Sequence, residues 1–149
     1  MRNLPRLTER RGQAWRTNKN TSGNLGQLLI ASDAARTREL FAPGQPIYDE
    51  GDRADAAFYI ESGRVKITSI SLGGKEAVVA VRRNGDFLGT RCLVEKRTGS
   101  ATAIVACSLI RISRGALMRL LREEPDFAVA FVVHLVEQNI RDRERSSII

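Results

Sequence analysis

From Phe41 onward the chain cannot run far before it must turn. Pro43-Gly44, Glu50-Gly51-Asp52, Ser62-Gly63, Gly73-Gly74, Asn84-Gly85-Asp86 and Thr98-Gly99 follow one another, roughly every eight to twelve residues, the rhythm of an all-β sandwich or barrel. Between them lie short runs rich in β-branched and apolar residues: Ala57–Ile60, Val65–Ile70, Ala77–Val81, Ala101–Ala106 and Leu109–Ile112. Each is too short for a helix and fits a strand. Val65-Lys66-Ile67-Thr68-Ser69-Ile70 alternates apolar with polar, which predicts one buried and one wetter face. Gly73-Gly74-Lys75 superficially suggests a phosphate loop. That motif needs an earlier glycine where Ser69 stands and a hydroxyl residue where Glu76 stands, so it reads as a hairpin turn.

After Ser113 the period becomes helical. Ser113 is placed to cap a helix reaching Glu123, with Leu117, Leu120 and Leu121 on one face. Pro125 then opens a second helix, at a position where no backbone N–H is required, running to about Arg145. Asp126 suits its positive end, and Arg141, Arg143 and Arg145 suit its negative end. Its apolar residues, Phe127, Val129, Phe131, Val132, Val133, Leu135, Val136 and Ile140, cover more than one stripe. Such a helix needs two partners. One is the β domain, and a second copy of the chain is the simplest other. A homodimer through Pro125–Arg145 is therefore expected.

The N-terminal part reads differently. Residues 1–26 are polar and basic and predict a disordered tail. Residues 27–40, with Leu28, Leu29, Ile30 and Leu40, predict a short helix whose second half Ser32 or Asp33 could cap. The organisation expected is thus a tail (1–26), a β domain with flanking helices (27–124) and a dimerisation helix (125–149). The chain carries a net charge of +7. Eight of its basic residues lie in the first forty positions, opposed there by Glu9, Asp33 and Glu39 alone. The basic character belongs mainly to the tail, which permits loose, salt-sensitive contact with phosphates but no reading of bases.

Several classes of function are disfavoured. Phe127–Val136 is too short to span a bilayer, and no apolar run follows the basic N-terminus as in a secretory signal. Cys92 and Cys107 lack metal-like or redox-like spacing and fit small buried residues in a reducing cytoplasm. His134, the sole histidine, leaves no Ser/His/Asp or Cys/His set, and it sits among apolar residues as a core or interface histidine would. Asp49-Glu50 and Glu123-Glu124 are solvated neighbours rather than an acid–base pair. The chain is not expected to be an enzyme.

Two segments carry a family resemblance. Pro43-Gly44, Ile47-Tyr48, Gly51-Asp52, Phe58-Tyr59-Ile60, Gly63 and Val65-Lys66 form the first; Gly85-Asp86-Phe87-Leu88-Gly89, Cys92-Leu93 and Ser100-Ala101-Thr102-Ala103 form the second. In this order and spacing they resemble the cyclic nucleotide-binding domain of Crp/Fnr regulators, and the likeness continues through both C-terminal helices. The resemblance implies a mainly β fold, a cyclic-nucleotide-binding β-roll of jelly-roll type with flanking helices and a long C-terminal dimerisation helix. It further implies a phosphate-binding cassette: backbone N–H groups at the start of a short helix, one Arg in the following turn, and a Glu that accepts from a ribose hydroxyl.

At the cassette positions of this chain stand Gly89, Thr90, Arg97, Ser100 and Ala101. The Glu position falls on Thr90 and the Arg position on Gly99, so both charged ligands are absent. Ser100 and Ala101 still offer a hydroxyl and an N–H, and Arg91 or Arg97 could substitute from another direction. Cyclic AMP or cyclic GMP is accordingly expected to bind weakly or not at all. An iron–sulfur sensor would need more cysteines than two, and haem would need an axial ligand that His134 is poorly placed to supply. No helix-turn-helix follows the long helix before Ile149, so sequence-specific DNA binding is not expected of this chain. The expected role is that of a regulatory sensor domain. The alternatives are a stand-alone dimerisation module and a working cyclic AMP-binding domain with a non-standard cassette.

Overall fold

The structure is a computed structural model that describes residues 21–94 and 99–148, with side chains from 25 to 144 within those ranges. Helix α1 (Thr21–Ala31) leads into eight strands: β1 (Arg36–Phe41), β2 (Pro46–Tyr48), β3 (Ala56–Ser62), β4 (Arg64–Ile70), β5 (Glu76–Arg83), β6 (Phe87–Leu88), β7 (Ser100–Ala103) and β8 (Cys107–Ser113). A short 3-10 helix (Thr90–Val94) separates β6 from β7, and helices α2 (Arg114–Glu123) and α3 (Pro125–Ile148) close the chain. The strands form two antiparallel sheets, ordered β1-β8-β3-β6 and β2-β7-β4-β5. The fold is mainly β, as the turn rhythm predicts, and it is the β-roll with flanking helices that the resemblance implies. No described helix is long and apolar enough to cross a membrane.

The C-terminal helices follow their sequence signals. The Ser113 hydroxyl accepts from the Ala116 N–H at 3.2 Å and caps α2. The inner face of α2 buries Leu117 and Leu120, with Leu121 packed beside them. The β4–β5 hairpin turns where expected, with Ser71 N–H donating to Lys75 at 2.9 Å and Gly74 at a positive φ of 80°.

The N-terminal expectations need correction. The helix begins before residue 27, since residues 21–26 already belong to α1, and it ends at Ala31. The expectations for residues 1–20 lie outside the described residues. Ser32 terminates this helix rather than starting a second one: its hydroxyl donates to the Leu29 carbonyl at 2.6 Å and accepts from Ala34 N–H at 3.3 Å. Leu40 lies in β1, paired with Ser108 of β8. Tertiary strand pairing overrides the local pattern there, because the edge of β8 offers a full ladder of hydrogen bonds. Gly26 explains how closely α1 approaches the roll, for a Cβ on it would run into the Tyr59 hydroxyl and ring.

The alternation in β4 also breaks. Val65 and Thr68 are buried, Ile67 is half-buried and Ile70 is exposed. The cause is a bulge: Ile67 pairs with Ala80 and Thr68 with Val78, which leaves Val79 of β5 as the extra residue. β7 stops at Ala103, short of the expected Ala106, and Ile104 and Val105 are exposed.

Two apolar clusters fill the molecule. One lies between the two sheets around Phe58, Ile60, Val65, Leu88 and Leu109. The other joins β3, β6 and β8 to all three helices through Leu25, Leu29, Phe87, Ile112, Leu117, Phe127 and Phe131. Phe87 is its hub, with its ring centroid 5.3 Å from Tyr59 and 5.1 Å from Phe131, the latter edge-on at 86°.

Candidate functional site: a cavity between the roll and helix α3

A cavity of about 310 Å³ opens where the second sheet meets α3. Its floor is Ile67 of β4 with Val79 and Ala80 of β5, so the bulged residue faces it. Tyr48 of β2 also lines it. One wall is the turn Gly89-Thr90-Arg91, another is Gly99 at the head of β7, and α3 contributes Gln138 and Asp142. Gly89 has φ 74°, a conformation that favours glycine, and its carbonyl accepts from Cys92 N–H at 3.0 Å to start the 3-10 helix. This backbone bend brings Thr90 to the cavity.

The wall formed by α3 is held by buried polar groups. Asp86, fully buried, takes Arg141 at 2.6 Å and the Arg83 N–H at 2.9 Å on Oδ2. Its Oδ1 lies 3.4 Å from His134 Nε2. Gln138 Oε1 accepts from Phe87 N–H at 2.9 Å and lies 2.6 Å from His134 Nε2, which makes that nitrogen the donor. Burial pushes the His134 pKa below the ordinary histidine value, and nearby Asp86 offsets part of that effect. A buried carboxylate is tolerable only when paired and hydrogen-bonded, so these contacts tie the β5–β6 turn to α3. Further along α3, Asp142 receives both terminal nitrogens of Arg82 from β5, each at 2.8 Å.

The cassette residues separate into groups. Gly89 and Thr90 line the cavity, as do Arg91 and Gly99. Ser100 directs its hydroxyl elsewhere, accepting from Glu50 N–H at 2.8 Å and so securing the turn before β3. Ala101 is fully buried between the sheets, paired with Ile67. Arg97 lies outside the described residues. Gly99 approaches β4 so closely that a Cβ there would sit 2.7 Å from the Thr68 carbonyl oxygen. In this backbone arrangement position 99 has no room for a side chain. Sequence reasoning did not find Arg82, Gln138 or Asp142, and it named Asp86 only within the turn motif and Arg141 only at the helix end. A signal existed for part of this set: Gln138 and Arg141 stand four and seven residues after His134, a spacing that puts all three on one helix face.

Comparison with known proteins matches residues 38–124 to the family described as the cyclic nucleotide-binding domain. The chain belongs to that family. Among curated relatives of the chain, the cGMP-dependent protein kinase of Toxoplasma gondii is 35% identical over 102 residues, 68% of this chain and 9% of the kinase. The Cyclic AMP receptor protein of Thermus thermophilus is 31% identical over 90 residues, 59% of this chain and 42% of that protein. The chain thus spans less than half the length of either. In structure, the domain resembles the Thermus thermophilus Catabolite Activator Protein, with a TM-score of 0.65 at 25% identity over 87% of this chain and 59% of that one. Its neighbours include the cyclic nucleotide-binding domains of Crp/Fnr regulators, and the domain also occurs within enzymes such as the kinase.

Proposed function

We propose that this chain is the ligand-sensing, dimerising part of a Crp/Fnr-type regulator whose cavity holds cyclic AMP and cyclic GMP far more weakly than a complete cassette would. The observation that carries this reading is the cavity itself. It lies at the cassette turn, yet Thr90 and Gly99 occupy the positions that the resemblance assigns to Glu and Arg, and position 99 has no room for a side chain. Losing hydrogen bonds to charged partners costs about 1.5–3 kcal/mol each, so two losses weaken binding by roughly 10²–10⁴-fold. Calorimetric titration of the folded chain with each cyclic nucleotide tests this, and binding at about 1–10 μM would overturn it.

Dimerisation rests on the outer face of α3. Val129, Val132, Val136 and Ile140 are each between 50% and 59% exposed and follow one another at the three- and four-residue steps of a coiled-coil seam, with half-buried Val133 between them. A second α3 laid alongside would cover them. Sedimentation equilibrium should show a dimer at about 10–50 μM chain, and a folded monomer there would refute this part. In this reading the roll senses, α3 pairs, and base recognition falls to a part of the regulator other than this domain. Buried, unbridged Cys92 and Cys107 are compatible with a reducing cytoplasm.

A further inference from the structure

Among the described residues lining the cavity, three carry charge: Arg82, Arg91 and Asp142. Arg91 is exposed. Arg82 is not: its side chain is 13% accessible, and both terminal nitrogens are taken by Asp142, whose side chain is 28% accessible. A guanidinium fork presents the same two parallel N–H bonds to a carboxylate as to a phosphate. The Asp142 carboxylate therefore occupies the place on Arg82 that a phosphate oxygen pair would take. The pocket lacks a cation at position 99, but it holds a sheltered one on β5, already occupied from within.

We propose that Arg82 is the anion receptor of this cavity and that Asp142 is its built-in substitute ligand, which a phosphate-bearing nucleotide must displace. This rests on the sensor reading above and specifies how its pocket would take an anion. The exchange has a structural consequence. The Arg82–Asp142 pair ties β5 to α3, so a ligand that captures Arg82 loosens a link between the cavity and the helix carrying the exposed valine stripe. Without exchange, an entering phosphate faces the Asp142 carboxylate, and like charges at short range oppose binding.

The test is calorimetric titration with cyclic AMP and cyclic GMP of the full chain, Asp142→Asn and the double variant Arg82→Met/Asp142→Asn. Each is first checked for native circular dichroism and a cooperative melt. The double variant leaves no buried charge unpaired and so keeps the experiment interpretable if a single change destabilises the chain. Asp142→Asn should bind at least one of the two nucleotides about tenfold or more tightly than the parent chain, and the double variant should lose that gain. Asp142→Asn binding no tighter than the parent would overturn the proposal. So would a double variant as tight as Asp142→Asn, because the gain would then not run through Arg82. Low-micromolar binding by the parent chain would refute the weakened-cassette reading instead, and leaves the comparison between variants intact.

Discussion

Phe131 is 2% exposed and Val132 is 59% exposed, although both are apolar and adjacent on α3. The inner face of this helix packs Phe127, Ala130 and Phe131 against Phe87 and threads polar His134 and Gln138 into the same contact. The outer face repeats valine and isoleucine with no described neighbour to cover them. The two faces solve different problems. The inner one must match a single fixed surface, so it uses aromatic rings with defined edge contacts and polar groups with assigned partners. The outer one is a simple repeated stripe, suited to meeting another helix of the same kind.

Mutations that act on one face and spare the other would sharpen this contrast. The largest effect is expected at Phe131→Ala, which opens a cavity against Phe87 and should cost about 3–5 kcal/mol, read as a lowered urea midpoint. A loss below about 1 kcal/mol would mean the inner face is loosely packed. Val136→Glu should act on association instead. It should raise the dimer dissociation constant about 100-fold or more, roughly 2.7 kcal/mol, while the urea midpoint of the dilute chain stays put. If Val136→Glu unfolds the roll, the division between the faces fails.

Gln138→Leu probes the polar part of the inner face. It leaves the Phe87 N–H without its Gln138 acceptor and removes one partner of His134, at a cost of about 1–3 kcal/mol. A stability equal to the parent's would show that the polar pairing is dispensable. The smallest effect is a pH dependence. His134 titrates below the ordinary histidine value of 6.5 in the folded chain because it is buried, so the unfolded chain takes up a proton first as pH falls. Stability is then fully present above the unfolded value and declines as pH drops below it, levelling off under the folded pKa. The chain has a single histidine, so a urea-midpoint series from about pH 8 to about pH 5 should lose this component in His134→Gln. An unchanged profile in that variant would assign the slope to other groups.

What the sequence determined by itself was local or repetitive. Glycine turns at regular intervals specified short antiparallel strands, Ser113 and Pro125 marked helix starts, and the spread of apolar residues around α3 showed two faces in need of partners. Gly89, Thr90 and Gly99, which line the cavity, were also singled out in the sequence, because they lie within about ten residues of one another in a turn-rich segment. The tertiary structure alone decided the rest. Strand β1 exists because β8 has an open edge, and the bulge that turns Val79 to the cavity appears only when β4 and β5 pair. Arg82 and Asp142 lie 60 residues apart, and Asp86 lies 55 residues from Arg141. Ion pairs of that kind depend on where the fold sets two backbones, and no local pattern of residues encodes that distance.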